Sequence, residues 1–407
     1  MDQTRAYPAP AYPFANPTAL EPPTEWSALR GRCPVARVVL PSGDEASLLT
    51  RYADVKSVLS DPRFSRLLSA SDAARISTDE TGGVFNSAMA STIPQSGEGH
   101  QRWRRMIARW FTAKRMTALR PAIEGMADLL IDTMLTEGQP ADLKAKVGFP
   151  LPVWVICDML GVPETDRDRF SRWSDAFLNM TRYTQAQSDA AHAEFNDYMA
   201  GHIAAKRAKP GEDLLSELIA LRDEDGGAEF DDALLVATGQ GLLIAGHETT
   251  ANMIGKMMGA LLADRNRWER LLDDNSLVNS AVEEALRFDS NPGIGMPRYI
   301  SEDLEIGGTP VPRGTTVMCS MAAANRDETA FADPDEMDLA RTPNPHLAFG
   351  AGAHSCLGQA LARTELQAVL TILLRRLPTL HLAVAPDELR RIEGLLVGGL
   401  RELPVGW

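Results

Sequence analysis

Apolar positions along this chain fall mostly at helical spacing, with a short stretch of alternation near the start. The longest helical run covers residues 231–264 and opens on acidic residues, which favour a helix N-terminus. At about 1.5 Å per residue such a run spans roughly 45–50 Å, enough to cross a whole domain. Residues 116–209 are also helical in pattern, with Leu129, Leu130, Met134 and Leu135 predicted on one side, an interruption at Phe149-Pro150-Leu151-Pro152, and a resumption over 153–160. Alternation at Val35, Arg37 and Val39 with the turn Pro41-Ser42-Gly43 predicts a hairpin over 35–49. A short helix follows from Tyr52 and stops before Asp61-Pro62, because the residue preceding proline resists the helical region. Residues 66–94 show no period, and a loop of that length in a compact domain is commonly functional. Another hairpin rhythm runs from Ile306-Gly307-Gly308 to Pro312-Arg313-Gly314. The expectation is a mainly α fold with a small β region, formed as one domain over 1–407 and carrying a proline-rich N-terminal arm at 1–30 packed against it.

Composition narrows the function. The chain has 407 residues and a formal net charge of -14, which argues against nucleic-acid binding. Its first residues are proline-rich and lack the continuous apolar segment of a signal peptide or membrane anchor, so a cytoplasmic protein without membrane attachment, and a monomer, is expected. The four cysteines, at 33, 157, 319 and 356, have no paired spacing and are expected to be free.

One of those cysteines sits in Phe349-Gly350-Ala351-Gly352-Ala353-His354-Ser355-Cys356-Leu357-Gly358, a glycine-rich turn leading into an apolar helix. A helix N-terminus and backbone N–H groups both favour a thiolate, so Cys356 is a candidate metal ligand. The alternatives on residues alone are a buried cysteine in a tight turn, or a zinc site using His346, His354 and Cys356. A second cluster, His100-Gln101-Arg102-Trp103-Arg104-Arg105, places His100 and Arg104 on one helical face, suited to a carboxylate or phosphate, or else to surface ion pairs. A third lies within the long helix: Ala245-Gly246-His247-Glu248-Thr249-Thr250, an acid and two hydroxyls after an apolar run. There the small pair Ala245-Gly246 lets a ligand approach the backbone, and a Thr hydroxyl can bond the carbonyl one turn earlier. Helix packing at the glycine is the competing reading. Glu284 and Arg287, three apart, form a fourth pair.

These four stretches, in this order, resemble the F-G-x-G-x-H-x-C-x-G, H-x-x-x-R, A-G-x-[DE]-T and E-x-x-R motifs of the cytochrome P450 superfamily, over nearly the whole chain. The resemblance implies a single helical prism holding heme b (iron protoporphyrin IX), with Cys356 as the proximal thiolate on the iron and Phe349, Gly350 and Gly358 shaping its loop. It implies that His100, Arg104, Arg298 and His354 bind the haem propionates, and that the long helix faces the haem opposite Cys356. Thr249 would hydrogen-bond the oxygen being activated and Glu248 would pass protons to it. Glu284 and Arg287, with Asn325, Arg326 and Asp327, would support the cysteine loop.

The activity implied is O2-dependent oxidation of a bulky natural product, by C–H hydroxylation or radical aryl coupling. Several stretches, among them Tyr198-Met199-Ala200-Gly201, resemble the branch acting on cyclodipeptides; macrolide or polyketide hydroxylation is the alternative. A haem-binding sensor or carrier without turnover is the reading from another class. Substrate-lining candidates are Val84, Phe85, Met89, Leu242, Leu243, Ala245, Ile294, Leu396 and Val397, each with a plain core-packing alternative. No flavin or iron–sulfur motif is visible, which implies a separate ferredoxin and ferredoxin reductase, and the basic residues Arg102, Arg105, Arg109 and Lys114 would suit an acidic donor.

Overall fold

The computed structural model describes residues 9–78, 85, 87–222, 227 and 229–407. Its architecture is set by the long helix Asp232–Leu262, whose first turn is capped by Asp231 Oδ1 accepting the Leu234 N–H at 2.7 Å. The first half of this helix, Leu235 to Ile244, lies in one apolar core with the helices Asp168–Leu178 and Gln185–Ala208. Its last third, Met253 to Leu262, lies in a second core with the helices Ala113–Glu137 and Gln359–Arg376. The polar residues His247, Glu248, Thr249, Thr250 and Asn252 fall between the two cores.

The β part is peripheral. Strands β1 (Val35–Val39) and β2 (Glu45–Leu49) form the expected hairpin, with Val35 opposite Leu49. They join β3 (Phe64–Ser65), β5 (Met296–Ile300) and β8 (Thr316–Cys319) in a sheet of order β1-β2-β8-β5-β3. A smaller sheet pairs β10 (Pro404–Gly406) with β4 (Ala141–Asp142) and β9 (His381–Leu382), while β6 (Leu304–Ile306) and β7 (Thr309–Val311) form the second hairpin. The N-terminal arm lies along β1, exchanging Tyr12 N–H to Val39 O at 2.8 Å and Val39 N–H to Pro10 O at 2.9 Å. Among the described residues no helix is long and apolar enough to cross a membrane, and all four cysteines are free thiols.

Three local expectations need correction. Leu129 is 57% exposed, and the buried stripe of Ala113–Glu137 is Ile123, Ala127, Ile131 and Met134. A helix turns 100° per residue, so Leu129 sits two steps from Ile131 and on the far side. Pro150 and Pro152 start the helix Pro150–Leu160, because a first-turn residue has no intrahelical N–H bond to lose. Residues 66–94 are less irregular than their pattern suggests: Ala88–Thr92 is a helical turn capped by Ser87.

Candidate functional site

The cysteine loop owes its shape to backbone requirements. Gly350 and Gly352 take φ of 69° and 70°, and a Cβ on Gly352 would come within 2.6 Å of the Ser60 Cα. The Cys356 N–H donates to Phe349 O at 2.7 Å, and the helix Gln359–Arg376 starts just after Gly358. The Arg363 guanidinium lies 4.5 Å from the Phe349 ring centre, bracing that side of the loop. Cys356 itself is open. Burial of its surroundings pushes the thiol up, against the opposing pull of the Gly358 N–H, Arg104 and Arg363.

Behind the loop the Glu284–Arg287 pair is fully buried. Glu284 receives Arg287 through two bonds of 2.8 Å, Arg341 at 3.1 Å, Asn344 at 3.1 Å and the Asp338 N–H at 2.9 Å. Arg287 continues to Asn325 O at 2.8 Å, and Asn325 Oδ1 accepts the Leu347 N–H at 2.7 Å. Leu347 O in turn accepts the Gly350 N–H at 2.8 Å, so the network reaches the loop through covalent and hydrogen-bonded steps. Arg326 belongs to the same support, donating to Phe288 O and Asp335, and Asp327 accepts the Tyr52 N–H.

A different arrangement holds beside Cys356. His100 and His354 meet with ring centres 4.3 Å apart and planes tilted by 38°, Arg104 donates to Ser355 O, and Arg298 is 2% exposed. Arg66, which the sequence reading missed, joins them. Phe64 pairs with Ile300 and Ser65 with Tyr299, so continuing that register by one residue sets Arg66 opposite Arg298. None of the three arginines is ion-paired with a carboxylate among the described residues. The mutual repulsion is visible in the titration: burial, then Arg66, His100, Arg298 and Arg104, pushes His354 down to about 3. Burial, then Arg298 and Arg104, pushes Arg66 down to about 10. The sequence signal for Arg66 was a lone arginine in the run Phe64-Ser65-Arg66-Leu67-Leu68, decipherable only once its strand partner is known.

The zinc alternative fails. His346 Nε2 is held by Glu283 Oε2 at 3.0 Å, and no group of three metal-ligating side chains occurs among the described residues.

On the long helix, Thr249 Oγ1 donates to Ala245 O at 2.9 Å, as anticipated, and Asn291 holds the Thr249 carbonyl at 2.9 Å. Glu248 Oε1 accepts from Asn252 at 3.0 Å. Ala245 is exposed on its helix face. Gly246 has another cause: a Cβ there would stand 2.7 Å from Ile156, so packing against Pro150–Leu160 requires the glycine. The helix Gly97–Ala108 ties this region to the cysteine loop through adjacent residues, Trp103 bonding Thr238 Oγ1 at 3.0 Å and Arg104 bonding Ser355. Of the lining candidates, Phe85, Leu242, Leu243, Ile294, Leu396 and Val397 share one apolar core, with Met89 packed against it. The Leu396 N–H is tied to Leu178 O at 2.8 Å. Val84 lies outside the described residues.

This is a mainly helical fold in which an open thiol on a glycine-rich loop adjoins a cluster of arginines and histidines. A profile of the cytochrome P450 family matches residues 153–391. Nocardicin C N-oxygenase of Nocardia uniformis subsp. tsuyamanensis is 43% identical over 98% of both chains. Mycinamicin IV hydroxylase/epoxidase of Micromonospora griseorubida is 40% identical over 98% of both. Among solved structures, the putative thioether synthase SgvP of griseoviridin tailoring superposes with a TM-score of 0.91 at 39% identity, covering 99% of this chain and 100% of that one. The chain belongs to the cytochrome P450 family, and it is an enzyme of that oxidoreductase class.

The family implies a haem, and the residues fit one. Three arginines and two histidines, with no paired carboxylate among the described residues, suit an anionic group, and the open thiol beside them suits iron.

Proposed function

We propose that this protein is a haem-thiolate monooxygenase that oxidises a bulky natural product. The observation that carries the reading is the basin of Arg66, Arg104 and Arg298 beside His100 and His354, with no paired carboxylate among the described residues and adjoining the open Cys356. In this reading Cys356 ligates the iron of heme b (iron protoporphyrin IX), and His100, Arg104, Arg298 and His354 hold the propionates. When bound, the haem supplies the redox centre at which O2 is activated.

The chain's own contribution is binding and proton handling. Phe349, Gly350 and Gly358 keep the sulfur at one position. Thr249 presents its hydroxyl beside Ala245, and Glu248 exchanges protons toward it. Phe85, Met89, Leu242, Leu243, Ala245, Ile294, Leu396 and Val397 exclude water from the substrate and fix its orientation. A ferredoxin reduced by a ferredoxin reductase delivers the electrons. The exposed Arg105, Arg109 and Lys114 offer it a basic surface on an acidic protein, whereas Arg102 is engaged by Glu229.

Of the substrate classes, macrolide oxidation has support from the mycinamicin relative at 40% identity; indole-containing cyclodipeptide coupling rests on sequence resemblance alone. Titrating the ferric protein with mycinamicin-type macrolides and with tryptophan-containing cyclodipeptides separates them, since only an occupant of the chamber shifts the Soret band from low to high spin. The haem-thiolate assignment itself is tested by the reduced, CO-treated protein. Wild type is expected to show the red-shifted thiolate band and Cys356→Ser to lose it; a folded, haem-loaded wild type without that band overturns the reading. Thr249→Ala is expected to raise peroxide release, and unchanged coupling would favour a non-catalytic carrier.

A further inference from the structure

His247 is fully buried in the middle of the long helix. Its Nδ1 stands 2.7 Å from the Leu243 carbonyl one turn earlier. A carbonyl only accepts, so Nδ1 carries the ring proton and Nε2 presents a lone pair. That nitrogen has no hydrogen-bond partner, an arrangement buried polar atoms rarely tolerate without a purpose.

Nε2 lies 3.9 Å from Glu248 Oε2. The other carboxylate oxygen is already committed to Asn252. Two acceptors at this separation cannot bond each other, but both can be served by one donor pair: a water about 2.8 Å from each would point one hydrogen at either atom. Phe149, edge-on to the imidazole with ring centres 5.7 Å apart, and Glu248 both line a cavity of about 620 Å³. Its remaining wall includes Asp175, Asn179, Arg182, Glu393 and Arg401, so it is polar and roomy enough for water. Lys144, also on this wall, feels the charge of Glu248 and donates to Leu400 O at 2.6 Å.

We propose that His247 Nε2 and Glu248 Oε2 jointly hold one water at the inner end of this cavity, and that His247 is a proton-relay residue loading Glu248. The proposal rests on the monooxygenase reading above and deepens it. A proton arriving through the cavity water moves to Nε2, whose ring then bears two N–H groups, one on Leu243 O and one facing Glu248. The bridging water then accepts the Nε2 proton and gives one of its own to Oε2, and the ring returns to its neutral Nδ1–H form; one proton enters, one leaves, and no electrons move. Burial pushes His247 down, against the opposing influence of Glu248, so the doubly protonated ring is short-lived and the relay does not trap its proton.

The test compares His247→Asn, which keeps an amide donor near the Leu243 carbonyl but removes the Nε2 acceptor, with His247→Gln, which restores an acceptor near the Nε2 position. Both are assayed as haem-loaded protein in substrate-free turnover with a surrogate plant ferredoxin and its reductase, in H2O and D2O from pH 6 to 9. NADPH oxidation and the peroxide formed per NADPH are recorded. His247→Asn is expected to slow NADPH oxidation about 100-fold, the low end for a displaced proton-transfer group. It should also enlarge the solvent isotope effect and raise the peroxide fraction, and His247→Gln, whose amide can hold the water but takes up no proton, should restore neither; full recovery by His247→Gln would overturn the relay. If His247→Asn keeps the wild-type isotope effect and pH profile while showing a wild-type CO band, the relay is overturned and the monooxygenase reading stands. Absence of the CO band from wild type overturns both.

Discussion

Two polar constellations flank Cys356, and they differ in how their charge is balanced. The support network behind the loop closes on itself: Glu284 meets Arg287, Arg341, Asn344 and a backbone N–H. The basin in front stays open, with Arg66, Arg104 and Arg298 near two histidines in ring contact and no paired carboxylate among the described residues. A buried charge without a counter-charge costs several kcal/mol. The first constellation is therefore architecture, complete within the chain. The second is half of an interface, and its missing half must be an anion.

Breaking the closed network has the largest expected effect. Glu284→Ala leaves Arg287 and Arg341 without their shared carboxylate and should cost about 3–5 kcal/mol, read as a lower urea midpoint and little haem-loaded protein. A smaller effect is expected in the open basin. Arg298→Leu should weaken haem retention by roughly 10- to 100-fold, the worth of one charge-assisted bond, measured by haem transfer to an acceptor protein. The same change should leave the haem-free protein as stable or more so, because a like charge has gone. Loss of stability in the haem-free form would mean that the basin, too, is closed by the chain.

Acid sharpens the contrast. The folded His354 titrates at about 3, below the ordinary histidine value of about 6.5. Between those values the unfolded chain takes up a proton that the folded one refuses, so stability is full above about 6.5 and drains away as pH falls toward 3. Propionates in the basin would relieve that depression. The melting temperature of haem-free protein is therefore expected to drop more between pH 7 and 5 than that of haem-loaded protein, and equal slopes would contradict an anion in the basin.

The smallest effect concerns Glu365, on the helix after Cys356. Both its carboxyl oxygens are buried without a partner, and burial holds its pKa well above the usual carboxylate range. Its folded-state pKa is raised, so stability is full below about 4.5, the ordinary value, and declines as pH rises above it. Glu365→Gln, neutral at every pH, should raise the melting temperature at pH 8 and change it little at pH 4, followed by circular dichroism.

Much of this was legible in the chain itself. The long helix, the two hairpins, the cysteine loop and the Glu284–Arg287 pair were readable because their spacings reflect local geometry: the 3.6-residue turn, the pleat, a glycine at positive φ. The side of Ala113–Glu137 that is buried was not, since Leu129 and Ile131 are equally apolar and only the neighbouring helix chooses between them. At Gly246 the sequence left a ligand's approach and helix packing both open, and the contact that favours packing is with Ile156, a residue 90 positions away in sequence.

By itself the sequence determined the class of chemistry, through Cys356, Thr249, Glu248 and the motifs around them, because reactive groups and their flanking turns are specified over a few residues. The tertiary structure alone decided which charges are balanced. Arg66 becomes a neighbour of Arg298 only through pairing of distant strands, and His247 acquires an orphaned nitrogen beside Glu248 only when the long helix is buried with Phe149 edge-on to the ring. Electrostatic balance depends on burial and on neighbours in space, and neither is written in the spacing of residues along the chain.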